Sequence, residues 1–230
     1  MPIIVWFGII SAVAQRAWAT EPYSMKPVEL PPNANLPAAV RAALDPHGTY
    51  VFTYVNGLEA PICEVFWAKS VMGREERSAG GKVLYGELKP GALVGVIHFL
   101  EESSEDYRED FHDQKLKPGY YTMRYAVMTG DSSDFLVLGP ATLDPGPERV
   151  LEAGELDRLG QAASSTEEPA VLRLVASDKN DKSSPDVISA DDGSCVLQNK
   201  VQVKSERSGL PHDVTVAVIV ATPIEEEGGS

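Results

Sequence analysis

The 230-residue chain is 43% hydrophobic and 23% charged, enough apolar material for a true core in one large domain or two small ones. Its 34 acidic side chains outnumber 20 basic ones and give a formal net charge of −14. A surface of that sign repels phosphate backbones and anionic headgroups, which argues against nucleic acid and acidic membranes as partners.

Residues 3–14 (IIVWFGIISAVA) form an unbroken apolar run that Gln15 and Arg16 end. The run falls short of the roughly 20 residues a bilayer span needs and suits the hydrophobic region of a signal peptide. Small residues at −3 and −1 follow twice, as Ala12 and Ala14 and as Ala17 and Ala19. Cleavage after Ala19 is favoured over Ala14, because Thr20-Glu21-Pro22 opens a polar stretch. No Lys or Arg precedes the run, so either the terminal amine serves instead or translation starts elsewhere. Residues 1–19 are thus expected to direct the chain to the periplasm or outside the cell, and no later run is long enough for a membrane helix. The two cysteines, Cys63 and Cys195, would meet an oxidising compartment there and are expected to pair. A loop that long is worth about 4–5 kcal/mol in the chain-entropy model.

Residues 20–35, with four prolines, read as an extended lead-in. Pro37 suits the first turn of a short helix over 36–44, which Asp45-Pro46-His47-Gly48 stops. Strand patterns then dominate. They cover 49–55 up to the Asn56-Gly57 turn, 62–71 with Cys63, Val65 and Trp67 on one face, 82–88, 93–100, 120–128 and 135–138. Helical spacing returns over 148–163, interrupted by Gly154 and Gly160, and a strand follows over 170–177. Residues 178–193 read as a long polar loop. Residues 195–204 alternate, with Cys195, Leu197, Val201 and Val203 inward, and 214–221 are apolar on both faces, as in a doubly covered strand. About nine short strands and one or two short helices predict an antiparallel β-sandwich over 36–224, followed by a disordered tail over 225–230. Leu-Lys-Pro-Gly occurs at 88–91 and again at 116–119, each time before a strand. Pro-Gly there is the chemistry of a type II turn, with φ > 0 at Gly119.

Residues 116–125 (LKPGYYTMRY) resemble the "kPGxYTxRY" strand of a group of secreted bacterial β-proteins. Residues 62–69 (ICEVFWAK) resemble that group's "xxEIWxxK" strand, 93–96 (LVGV) its "LvGvl", and 134–141 (DFLVLGPA) its "rDFlLLxPA". A short helix followed by "PAvLxL" resembles 156–174. The resemblance covers residues 36–176. It departs after Met128, where only 129–133 stand before the Asp-Phe stretch and the group has a longer insertion. The resemblance implies secretion and a β fold, and brings no assigned activity. The Pro-Gly-x-Tyr strand start is also similar to that of transthyretin-like and carbohydrate-binding-like sandwiches.

The chemistry-bearing residues form no familiar motif. None of the four histidines, His47, His98, His112 and His212, has a zinc spacing. His98 reads as a hydrogen-bonded sheet histidine. His112-Asp113 and His212-Asp213 supply metal ligands only if folding unites them. There is no Gly-x-Ser-x-Gly elbow and no phosphate-cradling loop. The acidic clusters at 101–110 and 191–192 lack calcium-loop spacing and read as solvated loops. Arg124 stands out. With Tyr121, Met123 and Tyr125 facing the core, Arg124 shares the other face with Tyr120 and Thr122, where a planar cation beside aromatics suits a carboxylate or a sugar. An arginine paired with an acidic neighbour is the alternative. Ligand-binding candidates are therefore Arg124, Tyr120 and Thr122, with no catalytic residue, metal or cofactor assigned. The sequence predicts a secreted or periplasmic, non-enzymatic β-sandwich with a binding or accessory role in the cell envelope. The rival is a secreted hydrolase or metal-dependent enzyme with a loop-assembled site.

Overall fold

The computed structural model describes residues 22–74, 84–127, 133–177, 184–205 and 210–222. The expected signal peptide and tail lie outside them. The fold is mainly β, as expected. One hydrogen-bonded path runs β1 (Tyr23–Glu29), β2 (His47–Val55), β3 (Leu58–Trp67), β5 (Leu93–Phe99), β6 (Gly119–Val127), β7 (Asp134–Pro140), β8 (Val171–Val175), β11 (Pro211–Ala221), β10 (Cys195–Ser205) and β4 (Val71–Gly73). A further strand, β9 (Asp186–Ser189), also pairs with β10. Neighbours are antiparallel except β4 on β10. The continuous sheet curls into a half-barrel, where the sequence led us to expect a sandwich of two stacked sheets.

The corner is β8. Val171, Leu172 and Arg173 pair with β7, and Leu174 and Val175 pair with β11. One five-residue strand thus ends the first sheet half and begins the second, turning β10 and β11 over the inner face of β2, β3, β5 and β6. The alternation read from the sequence supplies that core. Cys63, Val65 and Trp67 of β3, Tyr121, Met123 and Tyr125 of β6, and Cys195, Leu197, Val201 and Val203 of β10 all enter one buried cluster. At the far ends of the curl, Tyr23 Oη donates to Gly193 O at 3.0 Å. Two helices cover parts of the outer face. Helix α1 (Ala38–Ala43) buries Val40 with Phe66, Leu93 and Val96. Helix α2 (Ala153–Ala163) lays Leu156 and Leu159 on Phe135, Val137 and Val171.

Several local expectations are corrected. Within the Pro-rich lead-in, residues 23–29 form edge strand β1, which tolerates Pro27 because β1 pairs only with β2. The strand expected over 62–71 breaks at Ala68–Ser70 into β3 and β4. The described part of the strand expected over 82–88 is a turn with one bridge, Leu88 to Gly73. Asp134 captures this turn by accepting the N–H groups of Leu84 at 2.7 Å and Tyr85 at 3.4 Å, together with the Tyr125 hydroxyl. Tyr85 Oη then donates to Val175 O at 2.5 Å and accepts from Ala217 N–H at 2.9 Å, so a side chain does the work of a strand pair. The loop expected over 178–193 contains β9, with 178–183 outside the described residues. Helix α2 starts after Glu152, whose N–H the Glu155 carboxylate accepts at 3.1 Å, and runs unbroken past both glycines. The two Leu-Lys-Pro-Gly sequences differ. Ala92 N–H donates to Lys89 O at 3.0 Å and Gly91 has φ +85°, a closed type II turn, whereas Gly119 has φ +145° and leads directly into β6.

The expected bridge is not formed: Cys63 and Cys195 are free, buried thiols. They enter the core from an early and a late strand, where each packs as a small apolar side chain. Burial first, then the nearby Cys195, raises the Cys63 thiol well above its ordinary value, and burial pushes Cys195 up to about 12. Neither is then an available nucleophile at neutral pH. Thiol titration of native, unreduced protein is expected to find neither cysteine reactive, and unfolding without reductant to release two thiols per chain. A value of zero after unfolding would show the pair to be bridged.

Candidate functional site

Arg124 is wholly buried, and its face of β6 is closed by the segment between β7 and α2. Nε donates to Asp144 Oδ2 at 2.7 Å and Nη2 to Asp144 Oδ1 at 2.6 Å. Nη2 also reaches Gly146 O at 2.7 Å, and Nη1 reaches Gly91 O at 2.6 Å and Arg149 O at 2.8 Å. All five guanidinium donors are thereby used within the protein. The carboxylate expected from a ligand at Arg124 is Asp144 of the same chain. Thr122, on the same face, is also buried and donates to Gly139 O at 3.3 Å. Tyr120, on the same face of β6, pairs across to His98. Its ring stacks on His98 at 3.8 Å and 4°.

Burial by itself would raise the Asp144 carboxyl. The Arg124 hydrogen bonds and charge, with the Gly146 N–H, outweigh it and hold Asp144 below its usual range. Arg124 thus fastens three backbone stretches, at Gly91, Gly146 and Arg149, to the middle of β6. Gly91 is indispensable to that arrangement, since a Cβ there would sit 2.0 Å from Leu151 O.

What the staple holds in place is one wall of a groove of about 720 Å³, lined by Pro90, Val150 and Leu151 on that side, Leu156 of α2 opposite, and Phe135 and Val137 beneath. Its size is that of a small-molecule cleft. Arg74, Lys89, Glu152 and Asp157 also line it. Only pattern within α2 and β7 pointed to this feature. The long-range contact that makes it, an arginine reaching a loop 20 positions away, has no local sequence signal.

A second gathering lies on the outer face of the sheet. Lys26, Tyr50, Glu64, His98 and Tyr120 are cross-strand partners in one row over β1, β2, β3, β5 and β6. His98 Nδ1 donates to the Glu64 carboxylate at 2.8 Å, and its Nε2 has no hydrogen bond among the described residues. Lys26 Nζ stands 4.6 Å over the Tyr50 ring and pairs with Glu59 at 2.7 Å. Burial, then Glu59, pushes the Tyr50 hydroxyl up to about 12.

The remaining histidines have separate carboxylate neighbours. His212 bonds Glu87 at 3.0 Å, His47 bonds Glu29 at 2.5 Å, and His112 lies 3.8 Å from Asp110 and 3.9 Å from Glu168. No group of three metal-ligating side chains comes together among the described residues. The acidic loop is more structural than its composition suggests. Asp110 is buried and accepts the N–H groups of His112, Gln114 and Val171, tying the loop to the corner strand β8. No protein-family model, curated protein or solved structure matches the chain.

Removing either partner of the Arg124–Asp144 pair strands a buried charge. Arg124→Ala and Asp144→Ala are each expected to lose about 3–5 kcal/mol, and the double variant less than their sum. Chemical denaturation measures all three. Because the folded carboxyl of Asp144 is depressed, the pair's contribution is complete above the unfolded value near pH 4 and disappears as pH falls through the lower folded value. Asp144→Asn should flatten that part of the wild-type stability profile.

Proposed function

We propose that this chain is a secreted or periplasmic, non-enzymatic binding protein of the cell envelope, and that the groove between α2 and the sheet is its ligand site. The groove carries the reading: an apolar cleft of about 720 Å³ whose wall is fixed by a fully satisfied buried arginine. Such pre-set walls lower the ordering cost of binding. The apolar run at residues 3–14 and the likeness to secreted β-proteins over 36–176 support export.

The rival, a hydrolase, is favoured by one observation, the His98–Glu64 pair with Nε2 open. A carboxylate that orients an imidazole in this way is how a general base is prepared.

The neutral fluorophore N-phenyl-1-naphthylamine should bind one per chain, with enhanced and blue-shifted emission. Ala126 of β6 also lines the groove; Ala126→Trp, which fills it, should abolish this while leaving the fold intact by circular dichroism, and His98→Ala should leave it unchanged. Undiminished binding by Ala126→Trp would remove the groove from consideration. Chromogenic esters and glycosides should not turn over. Turnover lost in His98→Ala would establish the hydrolase instead.

A further inference from the structure

We infer, building on the groove reading above, that the ligand is a single-chain amphiphile ending in a carboxylate, and that Arg74 holds that carboxylate. The groove surface is mostly carbon, and two lining residues, Pro90 and Pro169, have no backbone N–H to offer. A ligand lying against it must be largely apolar. Two cations line the groove; Lys89 already has a partner within the protein, which leaves Arg74 to receive the polar end. Among the described residues, Arg41, Arg108, Arg124, Arg149 and Arg158 all donate to protein oxygens, and Arg173 lies over the Phe111 ring. Arg74 differs: its backbone N–H is bound to Glu87 O at 2.9 Å, but its guanidinium has neither hydrogen bond nor ion pair among the described residues. It is half-buried and lines the groove.

In a chain with 34 acids to 20 bases, a guanidinium that no carboxylate binds among the described residues, beside apolar surface, stands out. A partly desolvated guanidinium without a counter-ion is costly, and a bidentate carboxylate removes that cost. The exposed Asp157 and Glu152 at the same groove disfavour a second negative charge, so the ligand is a monoanion.

Isothermal titration with dodecanoate, 1-dodecanol and dodecylamine tests this. The wild type should bind one dodecanoate per chain about tenfold more tightly than dodecanol. Dodecylamine should bind most weakly. Arg74→Gln should bind dodecanoate and dodecanol alike, with the dodecanol affinity unchanged, and Arg74→Lys should keep part of the preference. Equal binding of acid and alcohol by the wild type, tighter binding of the amine, or a preference that survives in Arg74→Gln would overturn the headgroup assignment and leave the groove standing. Failure of all three probes to bind would overturn the groove reading itself.

Discussion

A buried charge is the constraint on which the outer layer of this protein depends. Removing a guanidinium and a carboxylate from water costs several kcal/mol per ion, and only complete hydrogen bonding offsets it. Arg124 meets that condition by drawing in Asp144 and three backbone carbonyls. Those carbonyls belong to chain segments without regular structure of their own. Once they are bound, residues 144–151 have a fixed course across β6, and α2 starts from a defined point. The groove is a by-product of that course.

The same face illustrates how covering changes a residue's meaning. In a half-solvated sheet, alternation puts an arginine into water, where it is available to partners. Here both faces of β6 are covered, one by the curled-over β10 and β11 and the other by a loop. Arg124 therefore behaves as a core residue with charge. Arg74, just past the short strand β4, keeps its guanidinium donors without a partner among the described residues. Two arginines near one groove thus divide the labour, one shaping the wall and the other facing what enters.

The period-two patterns of β3, β6 and β10 were readable in the sequence because each strand buries one face in a common core. Helix α2 was legible from Leu156 and Leu159. The curl was not, because β8 looks like any short apolar strand and its division between two neighbours is a tertiary fact. Likewise Tyr85 read as a strand residue, and only the position of Asp134, 49 residues on, makes it a tether. Edge strand β1 was hidden by its prolines, which ordinarily count against a strand and are harmless where one side is unpaired. Of the site candidates, the relation of Arg124 to the core side of β6 was legible, while the identity of its carboxylate partner was not. Tyr120 proved to belong with His98, an association that requires the β5–β6 register.

The hand-over at β8 also shapes the order in which the molecule can assemble. Strands β1 to β3 and β5 to β7 form a meander whose pairings join sequence neighbours, apart from the excursion that makes β4. Strands β9 to β11 form a second local unit. Such pairings between sequence neighbours form faster than non-local ones. Joining them depends on five residues, pinned by the Asp110 carboxylate at Val171 and by the Tyr85 hydroxyl at Val175. Entropic cost is concentrated at that junction, where few pairings reward a long loop closure. The union of the two units thus hangs on the five residues of β8.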